Sequence, residues 1–74
     1  MDDHELLRGL GRAMRVRRAS LGLSQEAFAD AIGMHRAYYG HIERGTKNLT
    51  VATLSKICSG LDLRVSEIFA ALDR

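Results

Sequence analysis

The stretch from Gln25 to Ile42 constrains the fold more tightly than any other part of the chain. It holds two short apolar-periodic segments separated by one glycine, Gly33, and the chain has no proline to redirect either. Ser24 precedes the first segment, and its hydroxyl can accept from the free amides of the next turn. Glu26 falls in that turn, where the helix dipole favours an acid. A helix over Gln25 to Ile32 would bury Phe28, Ala31 and Ile32, and Gly33 would end it with a left-handed backbone. About two residues later a further helical segment starts near His35 and ends at Gly45. Ile42 and one of Tyr38 and Tyr39 mark its inner side. Ala29 supplies the small residue that a tight helix crossing needs. Two short helices joined by a turn with one glycine form a helix-turn-helix.

The flanks read as helices too. From His4 to Leu21, Leu7, Leu10, Met14, Arg18 and Leu21 recur at three- and four-residue steps and define one face. Gly22 then closes that helix. Thr50 caps a segment through Gly60 with Val51, Leu54, Ile57, Cys58 and Leu61 on its apolar side, and Ser66 caps a short last helix carrying Ile68, Phe69 and Leu72. The expected fold is all-α with five helices. Seventy-four residues suit a single domain, 1–74, with little core to spare.

Several function classes drop out. A lone cysteine, Cys58, excludes an internal disulfide and reads as a small buried apolar residue. No apolar run approaches the roughly 18–20 residues of a membrane span. Asp2 and Asp3 stand where a signal peptide would be basic, so a cytoplasmic protein is expected. No motif sets a nucleophile beside a base, so no catalytic residue is assigned and an enzyme is not expected. Neither His35 nor His41 has partners at metal-ligand spacing, so neither metal nor cofactor is expected.

Charge is unevenly spread. The net charge is only +2, yet Arg8 to Lys56 holds nine basic against three acidic residues, while the ends hold two against six. A basic centre between acidic ends suits one face that meets a polyanion. Arginines on solvated helix faces would give the same count.

Arg18, Gly22-Leu23-Ser24-Gln25-Glu26, Phe28-Ala29, Gly33 and Ile42-Glu43-Arg44-Gly45 together closely resemble the phage-repressor and Cro-like family, often called the XRE family. The resemblance spans roughly Leu10 to Phe69 and implies a compact five-helix, lambda-repressor-like domain that binds double-stranded DNA. His35-Arg36-Ala37-Tyr38 and Asn48-Leu49-Thr50 are similar to one branch, the controller proteins of restriction–modification systems.

In that docking mode the second helix of the motif enters the major groove, its first residues nearest the base edges. His35, Arg36, Ala37, Tyr38 and His41 become the base-reading candidates. Arg36 can fork onto guanine O6 and N7, a contact worth roughly 1–3 kcal/mol of discrimination, or clamp a phosphate instead. Ala37 can touch a thymine methyl. The resemblance makes Gln25 a phosphate contact, joined by Ser24, Arg44, Lys47 and Asn48. It also pairs Arg18 with Glu43 as a structural salt bridge. Tyr39 falls where the family keeps isoleucine or valine, so its ring needs room and its hydroxyl a partner. Gly40, in mid-helix, is expected to permit close approach to DNA.

Leu63, Val65, Ile68, Phe69 and Leu72 are the candidate homodimer contacts, although some of them must close the protomer's own core. Two-fold symmetry would then set two reading helices on a pseudo-palindrome. RNA polymerase is a further partner in this reading. The rival reading is a helix-turn-helix antitoxin or other protein-interaction module. A DNA binder loses affinity steeply with salt, and such a module does not.

Overall fold

The computed structural model describes residues 2–72. The helices are α1 (Asp3–Ser20), α2 (Gln25–Ala31), α3 (Arg36–Arg44), α4 (Val51–Gly60) and α5 (Val65–Ala70), with no strand among the described residues. This is the expected five-helix order.

Most helix starts follow from local chemistry. Ser24 Oγ accepts the Ala27 N–H at 3.0 Å and Thr50 Oγ1 accepts the Thr53 N–H at 3.0 Å, as their positions predict. Asp2 does the same for α1, its Oδ1 accepting from the Glu5 N–H at 2.7 Å. The start of α5 differs from expectation. Arg64 rather than Ser66 holds the N-cap position, and Ser66 lies inside the helix. The Glu67 carboxylate, three residues on, reaches back to accept the Arg64 N–H at 2.9 Å, the bond by which an acidic third residue closes a helix start.

The core draws on every helix: Leu10 and Met14 of α1, Phe28 and Ala29 of α2, Tyr39 and Ile42 of α3, Leu54, Ile57 and Cys58 of α4, Leu61 after it, and Ile68 of α5. Burial pushes the Cys58 thiol pKa up, which keeps the sulfur in its unreactive form. Three periodicity-based expectations fail at helix ends. Val51, at the first position of α4, is exposed, as are its neighbours Thr50 and Ala52. Leu21 is exposed beside Gly22. In α2 the buried pair is Phe28 and Ala29, which leaves Ala31 in solvent.

Two contacts place α3. At Gly33 the backbone turns left-handed (φ 68°), and the next amide, Met34 N–H, bonds back to the Ala29 carbonyl at 2.8 Å. On the other side α1 crosses α3 at Gly11, which is buried. A Cβ there would collide with the Glu43 carbonyl oxygen and stand 2.8 Å from that of Ile42. Only a glycine lets the two backbones come this close.

Candidate nucleic-acid interface

The inner side of α3 is held by a cluster of polar groups around one carboxylate. Glu43, 7% exposed, is the one buried charged residue among those described. Arg18 Nε donates to its Oε2 at 2.6 Å and Arg18 Nη2 to its Oε1 at 3.0 Å. Gln25 Nε2 donates to Oε1 at 2.9 Å, and the Tyr39 hydroxyl donates to Oε2 at 2.5 Å. One side chain thus ties α1, the start of α2 and α3 together. Burial alone would raise the Glu43 pKa, but the hydrogen bonds from Arg18, Tyr39 and Gln25 outweigh it and hold the carboxyl below its ordinary value. The bond to Glu43 likewise raises the Arg18 pKa against the lowering effect of burial. The Tyr39 phenol is pushed far above its ordinary range, first by burial and then by its bond to the carboxylate. All three groups keep fixed protonation states near neutrality.

This cluster settles the competition between the two tyrosines. Tyr39 is wholly buried, its ring tilted against Phe28 at 5.1 Å between centroids. Tyr38 is 37% exposed on the outer side. The signal was available in the sequence: Tyr39 and Glu43 stand four apart, one helical turn, and so share a face.

The outer side of α3 carries the base-reading candidates. His35 is the N-cap without a side-chain bond of its own, and Arg36, Ala37 and Tyr38 follow it, all exposed. The Arg36 guanidinium rests on Glu26 at 3.1 Å, with both side chains about two-thirds exposed. An exposed pair of this kind is weak and readily exchanged for another acceptor. His41 is half-buried in the last turn. Its Nδ1 lies 3.2 Å from Thr46 Oγ1 and 3.3 Å from an Arg44 guanidinium nitrogen, and Thr46 also closes the helix by donating to the His41 carbonyl.

The phosphate candidates divide between the two ends of the motif. Ser24 spends an acceptor lone pair on its cap and retains its O–H donor. Gln25 gives one amide hydrogen to Glu43 and keeps the other. Arg44, Lys47 and Asn48 are exposed at and beyond the C-terminus of α3. Gly40 is buried rather than presented outward, in contrast to its expected role at the DNA surface. A Cβ there would meet Arg44 Nη1 at 3.2 Å and Gln25 Oε1 at 3.5 Å. Its missing side chain makes room for two phosphate candidates to fold over the helix, bringing the ends of Gln25 and Arg44 to one spot.

The dimer candidates separate as well. Ile68 is 1% exposed and belongs to the chain's own core, so it has no surface for a partner. Leu63, Val65 and Leu72 are half-buried, and Phe69 is 39% exposed. The basic span is also less uniform than its count implies. Arg17 Nε donates to the Leu61 carbonyl at 2.9 Å, and Arg18 is spent on Glu43 and on the Leu23 carbonyl at 2.7 Å. Among the described residues no cluster of metal-ligating side chains occurs, and no helix is long and apolar enough to cross a membrane.

A family model described as Helix-turn-helix matches residues 14–68. The chain is 38% identical over 60 residues to the control protein C.MunI of a Mycoplasma species, covering 81% of each. It is 35% identical over 68 residues to the control protein C.SmaI of Serratia marcescens, covering 92% of this chain and 77% of that one. Among solved structures, the restriction-modification controller protein C.AhdI from Aeromonas hydrophila is similar at a TM-score of 0.81 and 36% identity. That match covers 85% of this chain and 96% of the other.

Proposed function

Because the chain belongs to the Helix-turn-helix family of DNA-binding regulators, we propose that it acts as a homodimeric controller protein, a single domain over residues 1–74. In this reading it occupies a pseudo-palindromic operator and regulates a nearby promoter by that occupancy; its relatives C.MunI and C.SmaI are control proteins and C.AhdI is a restriction-modification controller protein. Its role is regulatory rather than enzymatic, its setting is the cytoplasm, and RNA polymerase is the further partner that activation would require.

The observation that carries this reading is the two-sidedness of α3. Its inner side is locked by the Glu43 cluster, while His35, Arg36, Ala37 and Tyr38 stand outward at its N-terminal end. A reading helix needs this combination, because a contact to base edges transmits discrimination only from a rigid support. In this reading Arg36 leaves Glu26 for a guanine edge, Ala37 meets a thymine methyl, and Tyr38, His35 and His41 complete the base contacts. Ser24, Gln25, Arg44, Lys47 and Asn48 hold the backbone phosphates, Gln25 and Arg44 from neighbouring positions over Gly40. Leu63, Val65, Phe69 and Leu72 form the dimer surface, with Ile68 withdrawn into the core.

Selection of bound duplexes from a random pool tests the proposal directly. The expected product is a pair of inverted half-sites one helical turn apart, about 34 Å between centres. Recovery of no enriched sequence, together with binding that does not respond to salt, would favour a protein-interaction module instead.

A further inference from the structure

The arginines of α1 do two different jobs. Arg17 and Arg18 are spent inside the protein, on the Leu61 carbonyl and on Glu43. Arg8, Arg12 and Arg15 are exposed and take part in none of the ion pairs or side-chain hydrogen bonds among the described residues.

Arg8 is set apart from the other two by Gly45. Gly45 is buried as the left-handed C-cap of α3, at φ 75°. A Cβ on it would lie 2.8 Å from both Cα and N of Arg8 and 2.9 Å from its Cγ. The backbone of α1 therefore presses on the C-terminal end of the reading helix at this residue, and the Arg8 side chain departs from that junction. Arg44 immediately precedes Gly45, and Lys47 and Asn48 follow it, all exposed. Arg8 and Arg12, one turn apart along α1, both border the groove between α1 and α5, but the atoms nearest Gly45 all belong to Arg8. Glu5 and Glu67 border that groove too, yet neither forms an ion pair with Arg8.

We propose that Arg8 is a DNA phosphate-binding residue, extending the track of Arg44, Lys47 and Asn48 across the α1–α3 junction so that α1 itself grips the DNA backbone. A guanidinium fork suits a phosphate, and Gly45 is the residue whose lack of a side chain admits α1 to this position. The inference rests on the DNA-binding reading above.

The experiment is equilibrium binding of a labelled random-sequence duplex across about 50–200 mM salt, with wild type, Arg8→Gln and Arg12→Gln. A phosphate contact contributes about 0.9 to the slope of log affinity against log salt. Arg8→Gln is expected to reduce the slope by that amount with unchanged thermal unfolding, and Arg12→Gln to keep the wild-type slope. A wild-type slope in Arg8→Gln overturns the inference. So do equal reductions in both variants, because they would report the general field of α1 rather than a contact. Failure of wild type to bind the duplex in a salt-dependent way would defeat the DNA reading itself, and is read from the wild type alone.

Discussion

Glu43 is the residue on which the placement of α3 depends. It accepts four hydrogen bonds from three side chains, and removing its charge strands the Arg18 guanidinium, whose side chain is 12% exposed. Loss of one partner of a buried pair costs about 3–5 kcal/mol, so Glu43→Gln is expected to lower the urea midpoint strongly and to abolish DNA binding by unfolding α3's support. The same carboxylate gives stability a pH dependence. Its folded pKa is depressed, so its contribution is complete above the unfolded glutamate value of about 4.3 and is lost as pH falls towards the lower folded value. Denaturant titrations between neutral and acidic pH should show that decline in wild type and a flatter profile in Glu43→Gln. Tyr39→Phe is the milder variant. It keeps the ring against Phe28 and removes one bond to a charged acceptor, with an expected loss of about 1.5–3 kcal/mol. An unchanged midpoint there would mean that Glu43 does not need its fourth donor. The Arg18–Glu43 pair was legible through the family resemblance. The hydroxyl's destination is legible once that pair fixes the inner face, because Tyr39 and not Tyr38 stands one helical turn from Glu43.

At the level of elements, what the sequence showed best was local. Ser24 and Thr50 were readable as caps because a cap is a bond between a side chain and an amide three residues away. Val51, Ala31 and the start of α5 were misread because a helix's terminal turns follow its neighbours rather than its own period. Gly11 gave the least warning, whereas Gly40 stands out in the sequence as a glycine in mid-helix. Gly11 looks like an interruption of the α1 pattern, yet its place against the Glu43 and Ile42 carbonyls sets the distance between α1 and α3. Gly11→Ala drives a methyl into backbone that cannot move aside, and should destabilise by about 1–3 kcal/mol or more. Gly40→Ala is expected to behave in the opposite way. The atoms its Cβ would meet are the ends of the flexible Arg44 and Gln25 side chains, so the protein should gain up to about 1 kcal/mol in helix propensity. DNA affinity should fall, because both phosphate candidates are displaced. Thermal unfolding and duplex binding on the same preparation separate the two effects, and undiminished binding would show that neither side chain needs that seat.

The dimensions of the whole molecule bear on how it meets DNA. The chain measures 31 × 21 × 20 Å and presents one α3. Reading helices about one helical turn apart, roughly 34 Å, therefore call for two protomers side by side. In the proposed dimer the pairing surface is the last helix and its approach. Val65, Phe69 and Leu72 recur at helical spacing, and Phe69 remains 39% exposed although a chain of this size has few large apolar groups to leave in water. Ile68, between them in sequence, points the other way into the core. That alternation permits a clean separation of association from folding. Phe69→Glu should leave helicity and thermal unfolding at low concentration close to wild type, while shifting sedimentation from dimer to monomer. Operator affinity should then drop steeply, because the second half-site no longer binds as part of the same particle. Ile68→Ala should instead lower stability by about 2–5 kcal/mol in either state of assembly. If Phe69→Glu sediments as wild type does, the pairing surface lies elsewhere, and α5 serves only to close the fold over α1 and α4.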